Sequence, residues 1–168
     1  GIVGHGAIGA AVAKRAKALG MHVLATKRTL SAGLKDPSVD RFYAFNDMHG
    51  LLTESDAVVL AAPESAETLN LFNAKTFAAM KKGAFFINVA RGTLVNEPDL
   101  IDALKSGHLS GAAIDVASVE PLPPGNPLWT APNIRISPPV SYTPLAGDSQ
   151  MTLPTSISPC RSRWSQYH

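Results

Sequence analysis

The stretch "GIVGHGAIGAAVAKRAKALG" spaces Gly4, Gly6 and Gly9 as G-x-G-x-x-G between the end of an apolar strand and the start of a helical segment. Each glycine meets a separate need of a dinucleotide site. Gly4 permits the tight turn, Gly6 lets the backbone approach a pyrophosphate, and Gly9 lets helix and strand pack closely. The helix that follows directs its first N–H groups at the phosphates, so His5, Ala7 and Ile8 join the glycines as candidate cofactor contacts. A glycine-rich turn without a ligand shares this spacing; the strand before it and the helix after it favour the ligand.

About 18 residues past Gly9, an acid would bind the adenosine ribose diol and repel a 2′-phosphate. Lys27, Arg28 and Thr29 stand there instead. Two cations and a hydroxyl suit a phosphate better than a diol, so NADP is expected ahead of NAD; solvated strand-end charges are the alternative. Further along, "INVARGTLVNEPDLIDAL" ends an apolar run at Arg91 and Gly92, and "AAIDVASVEPLPPGNPLW" ends another at Asp115, with Glu120 just beyond. The carboxyl ends of strands are the edge where open α/β sheets bind ligands. Taken singly, an exposed arginine, a turn aspartate and a solvated glutamate would look the same.

The elements that must hold these residues alternate along the chain. "GIVG", "HVLAT", "AVVLAAP", "AFFINV", "GAAIDV" and "NIRIS" read as six strands. Between them lie helices over Ile8 to Leu19, with Ile8, Val12, Ala16 and Leu19 on one stripe, over "MHGLLTES", over "AKTFAAM" capped by Asn73 and ended by Gly83, and over "EPDLIDALKSG" capped by Asn96 with Pro98 in its first turn. Near-continuous apolar strands separated by helices predict a doubly wound parallel α/β sheet covered on both faces, in the order 3-2-1-4-5-6, with its first strand clipped at Gly1.

Residues 1–144 are read as one dinucleotide-binding domain. Residues 145–168, rich in Ser, Pro and Arg and without period, are read as a disordered tail or the product of a reading-frame slip. The formal net charge of +2 comes wholly from Arg161 and Arg163 in that tail. No basic stripe supports nucleic acid as a partner. One cysteine, Cys160, permits no internal disulfide, no apolar run approaches the roughly 18 residues of a membrane span, and no signal-like stretch is visible. A cytosolic protein is expected, without a metal site.

In the order "GHGAIG", "LAAPESAETLNLF", "NVARGTLVNE" and "GAAIDVASVEPLPPGNPLW", from Gly1 to about Pro144, the chain resembles the D-isomer-specific 2-hydroxyacid dehydrogenases. The resemblance implies a Rossmann fold and an NAD(P)-dependent oxidoreductase that moves hydride to or from a small 2-keto or 2-hydroxy acid. It implies that Arg91 binds the substrate carboxylate and carbonyl through its forked donors. It further implies that Glu120 pairs with a protonated histidine, that Asp115 binds the nicotinamide carboxamide, and that Pro63 and Ala90 lie against the cofactor. A homodimer is implied for the intact protein, with "ESAETLNLF" and "PLPPGNPLW" as contact surfaces.

Two departures stand out. The family carries its proton donor in a Pro-His pair after the last strand, and here the pair is Pro138-Pro139. Proline has no proton to give. The separate substrate domain is also not visible in these residues. A non-catalytic dinucleotide-binding module, redox-sensing or scaffolding, is therefore the alternative to an enzyme's cofactor domain.

Overall fold

Brief apolar runs rich in β-branched and aromatic residues form strands, and the connections between them, most of them helical, return the chain to the same end of the sheet, which makes neighbouring strands parallel. The structure, a computed structural model, describes residues 1–30 and 35–137. In chain order it contains β1 (Ile2–Val3), α1 (Ala7–Ala18), β2 (Leu24–Lys27), β3 (Arg41–Ala44), α2 (Met48–Glu54), β4 (Ala57–Leu60), α3 (Ala74–Ala79), β5 (Ala84–Asn88), α4 (Glu97–Lys105), β6 (Leu109–Ile114) and β7 (Ile134–Ile136). The sheet runs β3-β2-β1-β4-β5-β6-β7 with every pair parallel. The chain winds outward from β1 to β3, then crosses to the other side of β1 as β4 and winds the opposite way. The crevice between β1 and β4 is the switch point of a doubly wound sheet.

Seven strands replace the six expected. Arg41–Ala44 supplies the outer strand β3, whose exposed and half-buried RFYA sequence lacks the apolar run that marks the others. As read from the sequence, the order 3-2-1-4-5-6 would have set "AVVLAAP" outside β2; that place belongs to Arg41–Ala44, and "AVVLAAP" is β4, paired with β1. The α1 stripe is also displaced. Gly9 and Ala13 are its buried residues, with Val12 and Ala16 packed at the margin, while Ile8 and Leu19 face outward. A Cβ on Gly9 would collide with the Gly4 carbonyl, so the helix lies too close to β1 for a large side chain between them. Asn73 and Asn96 cap α3 and α4 as expected, but α3 stops at Ala79, and Gly83, at φ +84°, turns the chain into β5.

One face of the sheet packs Val58, Leu60, Phe86 and Ala112 with residues of α2, α3 and α4. Its centre is aromatic: the Phe86 ring lies 4.7 Å from Phe72 and 5.2 Å from Phe77. The other face carries a smaller cluster, Ile2, Ala13, Val23 and Ala25. The expectation of a sheet covered on both faces fails over β4 to β6, where Phe85 is 39% exposed and Val59, Ile87 and Ala113 are only partly buried among the described residues. Of the two apolar segments taken as contact surfaces, Phe72 and Leu128 belong to the core, and only Leu69 and Trp129 among their large apolar side chains are largely exposed. No described helix is long and apolar enough to cross a membrane.

Asp40 joins the outer strand to the rest. Its Oδ1 accepts from Lys17 Nζ at 2.6 Å, its Oδ2 accepts the Val23 N–H at 2.7 Å, and its own N–H donates to the Val23 carbonyl at 2.8 Å. The Lys17 bond first, and the Val23 bond second, hold the carboxyl below its ordinary range. A folded value below the unfolded one gives stabilisation that is present above the unfolded pKa, about 3.9, and is lost as pH falls through the folded value. Asp40→Asn should therefore lower the thermal midpoint at neutral pH and match the unaltered chain once the pH has fallen below the carboxyl's folded value. Circular-dichroism melts across that range check this; a difference that persists in acid would assign the effect to shape rather than charge.

Candidate functional site

Thr26, wholly buried near the end of β2, shapes the glycine loop. Its Oγ1 accepts the Gly4 N–H and its carbonyl accepts the His5 N–H, each at 2.9 Å. Gly4 has φ +100°, and a Cβ on it would lie 2.6 Å from Ala62 Cα, so the chain leaving β4 presses directly on the loop at the switch point. Gly6 opens α1 without a side-chain cap, and the first turn holds no acid. A Cβ on Gly6 would meet nothing within 4 Å. Backbone donors, the positive end of a helix and open space therefore coincide, which fits the pyrophosphate of a dinucleotide. Ala7 and Ile8 are exposed on that turn.

Lys27 is partly buried at the end of β2, and Arg28 and Thr29 are exposed after it. Neither cation enters an ion pair among the described residues. The His5 side chain turns away from the open space. It is 7% exposed, its ring meets Phe42 edge-on at 5.1 Å, and its Nε2 stands 3.3 Å from Asp36 Oδ2. Its N–H is likewise engaged, by the Thr26 carbonyl.

The second constellation depends on Asn88, 1% exposed at the end of β5. Its Nδ2 donates to the Arg91 carbonyl and its Oδ1 accepts the Ala90 N–H, both at 3.0 Å, while its carbonyl accepts the Asp115 N–H at 2.9 Å. One residue so fixes the Arg91 turn and the start of the Asp115 loop. Ala90 is buried, and its carbonyl accepts from Arg91 Nη1 at 2.7 Å. A Cβ on Gly92 would run into the Ala117 and Ser118 backbone, so the two loops touch main chain to main chain. Glu120 Oε1 accepts the Ala117 N–H at 3.0 Å, and Glu97 Oε1 accepts both the Ser118 N–H and its hydroxyl at 2.7 Å. Asp115 and Glu120 line, with Leu122 and Trp129, an open pocket of about 150 Å³. Arg91 is outside that lining and joins it through the Gly92–Ala117 contact.

The loop after β4 is stitched to the same assembly. Buried Thr68 donates to the Pro63 carbonyl at 2.9 Å, which holds exposed Pro63 in place. Thr93 Oγ1 donates to Glu64 Oε2 at 2.6 Å, and the Asn70 N–H donates to the Thr93 carbonyl at 3.0 Å. Pro139 and the tail, on which two expectations fell, lie outside the described residues. Thr26, Asn88, Glu64 and Glu97 went unnoticed in the sequence. The available signal was a polar residue closing an otherwise apolar strand, as in "VLAT" and "AFFIN".

A doubly wound parallel sheet with an uncapped, acid-free helix start at its switch point defines a dinucleotide-binding α/β domain. Residues 1–141 match the family described as D-isomer specific 2-hydroxyacid dehydrogenase, NAD binding domain, and the chain belongs to that family. It is 40% identical over 144 residues to hydroxypyruvate reductase of Blautia hydrogenotrophica, covering 86% of this chain and 44% of the relative. It is 41% identical over 144 residues to glycerate dehydrogenase of Methylorubrum extorquens, covering 84% and 42%. The crystal structure of a D-isomer specific 2-hydroxyacid dehydrogenase from Xanthobacter autotrophicus Py2 in complex with NADPH and MES superimposes with a TM-score of 0.76 at 41% identity, covering 83% of this chain and 43% of that one. The chain spans less than half the length of these relatives.

Thr26→Val removes the acceptor of the Gly4 N–H while keeping the side chain's shape, and should cost about 1–3 kcal/mol of stability. Thr26→Ser keeps the hydroxyl and should lose less. Urea unfolding of both variants decides; a loss in Thr26→Ser with none in Thr26→Val would mean that the methyl group, not the hydrogen bond, holds the loop.

Proposed function

We propose that this chain is the cofactor half of a cytosolic, homodimeric oxidoreductase that reduces a small 2-keto acid such as hydroxypyruvate or glyoxylate, with NADPH preferred over NADH. Residues 1–144 form the dinucleotide-binding domain, and a separate substrate domain completes the enzyme. The observation that carries this reading is the open helix start at Gly6 beside Lys27 and Arg28, a phosphate site with cations at its adenosine end. Gly4 and His5, tied to Thr26, and Gly9, packed on β1, set the turn, and the backbone of Gly6, Ala7 and Ile8 cradles the pyrophosphate. Lys27, Arg28 and Thr29 receive the 2′-phosphate, and Pro63 and Ala90 shape the wall beside the ring.

A bound nicotinamide supplies the hydride. The protein's part is to orient and to bind: Asp115 accepts from the carboxamide, and Arg91 donates in parallel to the carboxylate and carbonyl of the keto acid. Glu120 is placed to hold an imidazolium for the alkoxide proton, a contribution of about 100- to 10,000-fold in rate. Retention of Arg91, Asp115 and Glu120 on one sheet edge supports an enzyme's cofactor domain over a purely binding module. With proline at position 139, this chain should bind dinucleotide yet reduce no keto acid.

Calorimetric titration tests the cofactor assignment. NADPH should bind more tightly than NADH by about 1–3 kcal/mol, the gap should narrow in salt, and Lys27→Ala with Arg28→Ala should close it. Equal affinities in the unaltered chain would place those side chains elsewhere. For catalysis, steady-state reduction of glyoxylate and hydroxypyruvate should be undetectable with the chain alone. Pro139→His should restore turnover only when a matching substrate domain is also supplied. Turnover by the unaltered chain would refute the role given to residue 139.

A further inference from the structure

The loop from Asp115 to Glu120 carries two residues assigned to the nicotinamide end, and its own sequence does little to fix it. Asp115, Ser118, Val119 and Glu120 are exposed, and Glu120 Oε1 is turned back on the Ala117 N–H of the same loop at 3.0 Å. The start of the loop is held where the Asp115 N–H donates to the Asn88 carbonyl at 2.9 Å. Beyond that point, among the described residues, the hydrogen bonds that join residues 116–120 to another element run to a single side chain. Glu97 Oε1 accepts both the Ser118 N–H and the Ser118 hydroxyl, each at 2.7 Å.

Glu97 can serve this loop because its own helix is capped without it. Asn96 caps α4 by accepting the Asp99 N–H at 3.1 Å, and Asp99, the other acid in the first turn, accepts the Ala74 N–H of α3 at 2.8 Å. The Glu97 carboxylate crosses instead to the loop after β6. Gly92, on the segment that leads from the Arg91 turn into α4, already lies with its backbone against Ala117 and Ser118. The main-chain contact stops the two loops from approaching further, and the carboxylate stops them from parting. Because Ser118 is exposed, water can replace a lost partner, so these bonds contribute little to stability. What they fix is the spacing between the Arg91 turn and the Asp115–Glu120 loop.

We propose that Glu97 is a positioning residue for the nicotinamide end of the site: through Ser118 it holds Asp115 and Glu120 in register with the Arg91 turn, so that affinity for the nicotinamide half of the cofactor depends on it and affinity for the adenosine half does not. This rests on the reading of Asp115 as the residue that binds the carboxamide. Glu97 acts through the loop and not by touching the cofactor. The adenosine half is served by the glycine loop and the end of β2, which share no hydrogen bond with Glu97 or Ser118 among the described residues.

Dissociation constants of NADPH and of ADP-ribose 2′-phosphate, the same molecule without its nicotinamide, test this on the full chain and its Glu97→Ala, Glu97→Gln and Ser118→Ala variants. Glu97→Ala should weaken NADPH about 3- to 10-fold, the scale of a hydrogen bond lost, and leave ADP-ribose 2′-phosphate unchanged. Glu97→Gln keeps an acceptor oxygen and should recover most of the loss. Ser118→Ala removes only an exposed hydroxyl and does not threaten the fold; it should give part of the loss, and combined with Glu97→Ala it should add nothing. Amide hydrogen exchange at Ser118 should quicken in Glu97→Ala while exchange within β6 stays as it was. Equal losses for both ligands, or NADPH binding unmoved by Glu97→Ala and Ser118→Ala alike, would reduce Glu97 to an acid at a helix start. Asp115→Ala separates this from the reading beneath it. If it leaves the two ligands in their original ratio, the carboxamide is bound elsewhere and the inference falls with that assignment, whereas a ratio changed by Asp115→Ala and unchanged by Glu97→Ala would refute the inference alone.

Discussion

Everything at the sheet's carboxyl edge depends on a main-chain contact, that of Gly4 against Ala62 at the switch point. Two parallel strands, β1 and β4, send their chains in opposite directions here, and the loops can part only if one backbone lies directly on the other. A Cβ at Gly4 would sit 2.6 Å from Ala62 Cα, and the φ of +100° excludes most side chains on its own. With that contact made, α1 begins where its free N–H groups face open space. The cost is borne by α1, which gives up large side chains on its inner face and packs through Gly9 and Ala13.

The same device recurs at Gly92, where the Arg91 turn meets the backbone of Ala117. Between the two contacts the loops after β4 and β5 are joined by Thr93 to Glu64 and by the pairing of Phe72 with Val95. Polar side chains at strand ends complete the arrangement. Thr26 and Asn88 are among the few buried polar residues described; Thr26 satisfies a backbone group of the loop after its neighbour β1, and Asn88 satisfies those of the loop after its own strand. A buried hydroxyl or amide left without partners would cost more than it contributes. Their placement explains why two polar residues persist in an apolar sheet.

Much of this was legible in the sequence because its largest signals are backbone requirements. Glycine spacing, asparagine caps and apolar runs each report a conformation that few residues can adopt, so the α/β class, the parallel winding and the loops bearing Arg91, Asp115 and Glu120 could be read directly. What stayed hidden is what depends on partners distant in sequence. The strand Arg41–Ala44 is defined by pairing with β2 rather than by its own composition, and Tyr43, Arg41 and Glu54 form a surface network across 13 positions that no local pattern announces. The outward turn of Ile8 and Leu19 follows from how closely Gly9 allows α1 to approach, a distance that helical periodicity alone does not contain.

Binding and chemistry are unequally served by this chain, and the sheet explains the division. The glycine loop lies between β1 and α1 and is tied to Thr26 of β2, all within the first 30 residues, while the β4 loop beside it is held in turn by Thr93. The chemical end is different in kind. Asp115 and Glu120 face an open pocket at the far half of the sheet, and the Arg91 donors beyond the one spent on Ala90 have no fixed acceptor among the described residues. Hydride transfer to a carbonyl needs water excluded and a proton delivered in the same geometry. An edge open on one side can orient a nicotinamide but cannot exclude water from both of its faces. Under the proposed function, the recognition half of the site belongs to this domain, and the reactive half would need a second surface to close over it.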